Sequence, residues 1–314
     1  MRTYAIQRVL LLIPTLLVLS FIAFALIRFI PGDAALLMTE ELGYAPNLEK
    51  LQERLGLTEP IHTQYLKWVG GFFRGDFGRS LWDGSPAAEE LVRRLPVTLE
   101  LAFFSLFLSA IVAIPIGVFS AMRQDTKSDY IVRSTVVLAD AVPHFWLATL
   151  ILVLPAVYIG WSPPVGWHSL SEDPVKHLLL LLLPASIISV SSAASLVRIT
   201  RTMMLEVLRQ EYIRTAWSKG LSERSIMYRH ALKNALIPVV TVFGLRVPNA
   251  LNGSVVMEAV FGIPGLGRWT IDAINFRDYP QLQVALMFTA ITVLIANLIV
   301  DLAYGWLDPR VRYR

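Results

Sequence analysis
The sequence predicts an all-α membrane protein with six transmembrane helices and a large loop outside the membrane after the first of them. Three observations carry this expectation. Of the 314 residues, 55% are apolar and only 17% charged, with a mean hydropathy of +0.55; the core of one or two soluble domains cannot hide that much apolar surface. Six segments reach the roughly 20 apolar residues needed to cross a hydrocarbon layer about 30 Å thick. Lysine and arginine, finally, favour alternate connections; the long first external loop, Pro31 to Pro96, also carries several, but its length is near the limit beyond which charge stops deciding topology.

The first segment runs from about Val9 to Ile30. Arg2 and Arg8, the apolar run and Ala23-Phe24-Ala25 imitate a signal peptide with a small-x-small cleavage site. The run spans by length, however, and an intact first helix is expected. Pro31-Gly32-Asp33 ends it and opens the external loop, Pro31 to Pro96. Leu48, Leu51 and Leu55 form one amphipathic stripe there, closed by Gly56. Thr58 is positioned to cap a second helix with Pro60 in its first turn, where a missing N–H costs nothing. Ile61, Tyr65, Trp68, Val69, Phe72 and Phe73 then share one helical face, either packing on the bundle or serving as a docking surface for an external partner. Gly75 to Pro86 is rich in turn residues.

The second to sixth spans are expected near Val97 to Met122, Tyr130 to Ile159, Leu178 to Val197, Ala235 to Val260 and Leu282 to Trp306. Divided linearly, this is a first helix (1–30), an external loop (31–96) and a five-helix core (97–314) that contains a cytoplasmic loop, 200–234. With the amino terminus inside, the cytoplasmic segments hold Arg2 and Arg8; Arg123, Lys127 and Arg133; the many basic residues from Arg198 to Lys233; and Arg310, Arg312 and Arg314. The two short external loops hold only Lys176, Arg268 and Arg277. That asymmetry places both termini in the cytoplasm. Trp161, Trp167, Tyr304 and Trp306 stand where interfacial anchors belong. The net charge of +4 and pI near 9.4 thus follow from topology. Nucleic-acid binding is not expected, since no basic stripe is interleaved with stacking aromatics.

Glu211 to Pro238 is too polar to enter a bilayer and too well patterned for a slack linker. It reads as a short helix from Glu211 to Lys219, a turn at Gly220 with positive φ, and a second helix opening near Ser222. No Glu or Gln follows Ser222 by three, so a capping box is not expected. Ala231, Leu232, Ala235 and Leu236 carry that helix into the fifth span, and a force on the elbow would move the span as a lever.

Ser186, Ser189, Ser192, Ala193 and Ser195 suit close helix packing in the fourth span, or a polar pathway wall. In the fifth, Arg246, Asn249, Asn252 and Gly253 lie within one arc, Glu258 lies off it, and Pro248 kinks the helix. These polar residues either line a pathway, with Arg246 or Glu258 meeting a charged end of the cargo, or hold the bundle together, with Arg246 paired to Asp140 or Asp301.

Chemistry of the usual kinds has no residues to carry it. There is no GxxxxGK[ST] phosphate loop, HExxH or GxSxG, and no inverted pair of interrupted helices. The absence of cysteine excludes disulfides, thiolate metal sites and a cysteine nucleophile. The five histidines, His62, His144, His168, His177 and His230, lack metal-ligand spacing. No cofactor, metal or catalytic residue is expected. A transporter or channel driven by an ion gradient is the competing class, supported by helix count and the polar fifth span.

Several longer strings bear a family resemblance: Arg28-Phe29-Ile30-Pro31-Gly32-Asp33, Leu55-Gly56-Leu57, Gln64-Tyr65, Arg74-Gly75-Asp76-Phe77-Gly78, Val97-Thr98-Leu99-Glu100 and Pro143-His144-Phe145-Trp146. More specific are Glu211-Tyr212-Ile213-Arg214-Thr215-Ala216 with Lys219-Gly220-Leu221, His230 to Pro238, Glu258 to Gly267, and Asp308-Pro309-Arg310. Over nearly its whole length the chain resembles the integral-membrane permease subunit of a bacterial ABC importer of the dipeptide/oligopeptide group. The resemblance implies the type I importer permease fold and an inner-membrane location. Implied partners are a second, paralogous permease subunit, two ATP-binding subunits, an extracytoplasmic solute-binding protein and membrane lipid. It also implies that Glu211, Tyr212, Thr215, Ala216, Lys219, Gly220 and Leu221 form a coupling helix seated in a groove of the ATP-binding subunit. Ala216 would be small enough for close contact there, and Gly220 would make the turn. Two features depart from the general importer motif. Arg214-Thr215-Ala216 stands for Glu-Ala-Ala, a variation the peptide group shares, and Trp217-Ser218 replaces the usual basic and small pair.

Overall fold
The computed structural model describes residues 2–29, 58–163 and 167–307. The described residues are almost wholly helical: α1 (Arg2–Phe29), α2 (Ile61–Phe73), α3 (Ala87–Met122), α4 (Lys127–Ala141), α5 (His144–Ile159), α6 (Pro174–Leu208), α7 (Glu211–Ser218), α8 (Glu223–Ser225), a π-helical turn Ile226–Ala231, α9 (Leu232–Gly244), α10 (Val247–Phe261), α11 (Leu266–Asn275) and α12 (Tyr279–Leu307). They cluster into two compact units, 1–98 with 263–314, and 99–262. The boundary falls within α3. Pro31-Gly32-Asp33, the Leu48, Leu51 and Leu55 stripe, Gly56, Asp308-Pro309-Arg310 and the terminal arginines lie outside the described residues.

Among the described residues, four helices, α1, α3, α6 and α12, are long and apolar enough to cross a membrane, and two bent pairs raise the number to six if each pair is one span. The continuous third span expected from Tyr130 to Ile159 is corrected: α4 and α5 meet at 93°. Pro143 is the cause. Its ring blocks helical geometry in the residue before it, and Val142 is extended (φ −86°, ψ 121°). In the fifth span, α8, the π-turn and α9 run continuously to Gly244, and α10 departs at 48°. The break lies at Leu245 and Arg246, so Pro248 occupies the first turn of α10, where its missing N–H is harmless.

Helix ends follow local chemistry. Asp173 caps α6 by accepting from the amide of Lys176 at 3.1 Å, with Pro174 as first helical residue. Thr126 caps α4. Thr58, by contrast, does not cap α2; Pro60 itself occupies the N-cap position, with no capping side chain. Ser222 likewise holds the N-cap position of α8 without a side-chain bond.

In the first unit, Tyr65, Trp68 and Phe72 of α2 pack in sequence against Phe24, Phe77 and Phe288 at centroid distances of 5.0–6.2 Å. The aromatic stripe therefore packs on the bundle along most of its length, while Ile61 and Phe73 at its ends stay exposed. Arg8 on α1 pairs with Asp301 on α12 at 2.9 Å. Several contacts pin the turn-rich segment after Gly75, two of them from side chains of Ser80 and Trp82. Ser80 donates to Asp278 at 2.5 Å, and the indole N–H of Trp82 donates to the Phe276 carbonyl at 2.7 Å. Burial pushes the Asp278 carboxyl above its ordinary value, against the hydrogen bonds from Ser80 and Leu81 that favour its ionised form.

In the second unit, α6 is the central element. Ser189, Ser192, Ala193 and Ser195 are all buried, which supports the packing role of the small-residue row. α3 and α6 approach closely at Gly117 of α3, where an added Cβ would lie 2.6 Å from Cβ of Thr200 and 3.0 Å from the carbonyl of Val197. Gly117→Ala is expected to force α3 and α6 apart and to cost about 1–3 kcal/mol. A lowered thermal midpoint in detergent checks it; an unchanged midpoint would show that the helices separate freely.

Candidate coupling site and polar fifth span
The elbow begins with Gln210 in extended conformation, after which α7 makes two turns. Its pattern is sharply two-faced: Ile213 and Ala216 are buried, and every other residue from Glu211 to Gly220 is exposed. Ile213 and Ala216 join Val118 and Ala121 of α3, Met204 of α6, Ile226 and Met227 of the π-turn, and Ala231 and Ala235 in one apolar cluster. That cluster is the seat of the elbow. It ties α7 to the ends of three longer helices by contacts that exclude water.

This placement corrects the expectation for Ala216. The residue, 7% exposed, packs in the chain's own core and not in an outside groove. The small side chain is needed because α7 lies close upon that core. Glu211, Tyr212, Thr215, Lys219 and Leu221 are exposed, and so is Trp217. Glu211 pairs with Arg214 at 2.8 Å on the surface, and the Thr215 hydroxyl donates back to the Glu211 carbonyl at 3.1 Å.

Gly220 has φ +75°, as the turn requires. Its amide donates to the Trp217 carbonyl at 2.9 Å, and the Leu221 amide to Ala216 at 3.3 Å, which closes the end of α7 before the chain reverses. A polar link spans the elbow as well: Nδ2 of Asn234 on α9 donates to the hydroxyl of Tyr212 on α7 at 2.7 Å. Tyr212→Phe removes that hydrogen bond but keeps the ring. Its contribution is about 0.5–1.5 kcal/mol, so a modestly lower thermal midpoint in detergent is expected, with the amount of protein in the membrane unchanged; an unchanged midpoint would show that the bond adds nothing.

Beside the seat lies a group that sequence reasoning missed. Asp129, fully buried at the start of α4, accepts two bonds from the Arg201 guanidinium of α6, at 2.8 and 2.7 Å. Ser120 of α3 donates to the same carboxylate, and the Asp125 amide donates at 3.1 Å. One carboxylate thus joins three helices at the level of the elbow, a fork-like geometry that only arginine provides. In the sequence, Arg201 counted only as one of many basic residues in the 200–234 loop.

The polar residues of the fifth span separate into two groups. Asn249 and Asn252 of α10 are exposed on the same side as Leu245, Val256 and Val260. Glu258 is fully buried on another face. Arg246, at the break, donates from Nη2 to the hydroxyl of Ser195 on α6, and its Nε is buried with no hydrogen-bond partner among the described residues. Neither acidic partner considered for Arg246 is used: Asp140 pairs with Arg198 at 2.7 Å and Asp301 with Arg8. No group of three or more His, Asp or Glu side chains suited to a metal ion occurs among the described residues.

Comparison with known proteins agrees with this architecture. Residues 113–313 match the family described as binding-protein-dependent transport system inner membrane component, and residues 1–102 match the amino-terminal component of such membrane proteins. The chain is 39% identical over 319 residues to the oligopeptide transport system permease protein AppB of Bacillus subtilis, and 35% identical over 338 residues to the dipeptide transport system permease protein DppB of Escherichia coli. Both alignments cover all of each protein. Among solved structures, the methionine ABC transporter MetNI in an inward-facing form superposes with a TM-score of 0.55 at 19% identity, over 70% of this chain and 96% of that one. An amino acid ABC transporter gives 0.51 at 15% identity, over 68% and 92%. These likenesses establish the type I ABC importer permease fold. With full-length relatives, matching family models and helices of membrane-spanning length and composition, the chain is a multi-pass membrane protein and belongs to the family of inner membrane components of binding-protein-dependent transport systems.

Proposed function
We propose that this chain is one of two permease subunits in an ATP-driven importer of di- and oligopeptides, and that its elbow, Glu211 to Leu221, receives the motion made by ATP hydrolysis on partner subunits. A paralogous permease completes the solute pathway, two ATP-binding subunits close on ATP, and an extracytoplasmic solute-binding protein delivers cargo. Both termini lie in the cytoplasm of a bacterial cell, and the pathway opens alternately to the two sides of the inner membrane. ATP and the loaded binding protein each favour the outward state, which is sufficient to couple them without contact.

The observation that carries this reading is the construction of α7. Its inner face is locked by Ile213 and Ala216 into the cluster that also holds the start of the fifth span. Its outer face offers Tyr212, Thr215, Trp217 and Lys219 to a partner. Displacement of such a helix moves the fifth span with it, because packed side chains resist compression. Peptide cargo is supported by the relatives at 35–39% identity named as peptide permeases. On this reading Asn249 and Asn252 face the pathway, Arg246 stands at the break beside it, and Glu258 has a packing role.

The test is reconstitution in liposomes. The chain with its partner subunits and a peptide-loaded binding protein is expected to accumulate peptide only when ATP is present. The chain alone is expected to carry no solute under a proton or sodium gradient; gradient-powered flux through it would overturn the proposal in favour of a secondary transporter.

A further inference from the structure
The break between α4 and α5 opens a cavity of about 430 Å³, lined by Asp140, Pro143, His144, Ser191, Gly253 and Val256. That volume lies within the range of small-ligand sites. At its wall, Asp140 accepts from Nη2 of Arg198 at 2.7 Å and lies 3.4 Å from the Ser191 hydroxyl. The ion pair is not enclosed: the Asp140 side chain is 33% exposed and that of Arg198 48%. Asp140 falls within the expected third span and Arg198 directly follows the cytoplasmic end of the fourth; charges within a span almost never face lipid, so this side of the unit borders water or a partner. Asn252, one residue before the cavity-lining Gly253, is exposed. At Gly253 a Cβ would meet Ile188 of α6 at 3.3 Å, a tight contact, and the His144 ring at an ordinary 3.7 Å.

Resting on the proposed function, we infer that this open cavity, together with the Arg198 paired to its wall, is a transit site for the termini of a zwitterionic peptide: Asp140, on the lining, takes the ammonium group, and Arg198, next to the lining, the carboxylate. The chemistry favours this exchange. The resident pair separates, and two new opposite-charge contacts replace it. No net charge is left in the apolar span at any stage, so the desolvation that opposes passage of an isolated ion is largely avoided. An uncharged solute offers no such replacement, and a singly charged one compensates only half of the pair.

The test uses the complete importer in liposomes, with binding protein saturated with dialanine or with dialanine amide, which lacks the carboxylate. Stimulation of ATP hydrolysis by the loaded binding protein is measured beside uptake. Arg198→Gln is expected to lower dialanine uptake by about tenfold or more, the equivalent of one charge-assisted hydrogen bond, and to leave uptake of the amide undiminished or raised relative to the unmodified importer, since the variant has no cation for the amide to strand. Asp140→Asn is expected to lower uptake of both compounds, since both carry the ammonium group. Stimulated ATP hydrolysis is expected to persist in each variant. Equal loss of both compounds in Arg198→Gln would assign the pair a structural role and overturn the inference, as would undiminished dialanine uptake in either variant. Absence of ATP-dependent uptake by the unmodified importer would instead defeat the proposed function itself.

Discussion

Gly220→Pro is expected to reduce ATP-driven uptake to the level seen without ATP, while leaving the amount of chain in the membrane unchanged. Two independent physical effects act at this one residue. Proline holds φ near −65°, whereas Gly220 has φ +75°. It also lacks the N–H that Gly220 donates to the Trp217 carbonyl at 2.9 Å. Both the direction of the chain and the closure of α7 are lost, but the long apolar helices that secure membrane insertion do not depend on either. Gly220→Ala separates the two effects. No atom lies within 4 Å of the position a Cβ would take, so alanine suffers only the left-handed backbone penalty, about 1–2 kcal/mol, and keeps its hydrogen bond. Its uptake is expected to fall between those of Gly220→Pro and the unmodified chain. Full transport by Gly220→Pro would show that the elbow does not transmit force.

The second large effect is expected from Arg201→Ala. Removal of the guanidinium strands the Asp129 carboxylate, fully buried, with only the Ser120 hydroxyl and the Asp125 amide as remaining donors among its hydrogen bonds. An uncompensated buried charge of this kind costs about 3–5 kcal/mol. Because the carboxylate joins α3, α4 and α6 next to the seat of α7, the loss is expected to appear as a lower thermal midpoint in detergent and as weaker stimulation of ATP hydrolysis in the assembled importer. Adding Asp129→Asn removes the stranded charge. The double variant is expected to recover much of the midpoint; failure to recover would mean that Arg201 acts through packing of its aliphatic stem.

Ala216→Arg is not a clean test of partner contact, because of where Ala216 lies. As a residue of an outside groove, it would spoil contact with a partner and leave the chain itself intact. With its methyl group in the cluster of Ile213, Met204 and Ile226, an arginine there would dislodge α7 from its seat. Loss of transport by that variant would therefore not locate the partner. Substitutions at Thr215, Trp217 or Lys219, which are exposed, are the ones suited to that purpose.

Sequence alone determined the class of this protein and most of its membrane-spanning helices, because hydropathy is a local, additive property that survives without knowledge of neighbours. It also located the elbow, where alternation of apolar and polar residues and a single glycine fully specify a short amphipathic helix and a left-handed turn. What only the tertiary structure decided was partnership. Asp129 and Arg201 are 72 residues apart, and nothing local distinguishes that arginine from the basic residues around it. Likewise, Arg246 turned to Ser195 while Asp140 and Asp301 found other cations, since the choice depends on which helices become neighbours. The 93° break, by contrast, follows locally from Pro143, a signal that hydropathy alone passes over. The inward face of Ala216 has the same origin as those pairings. Each results from a balance between a local tendency and the packing of distant segments, and composition does not contain the second half of that balance.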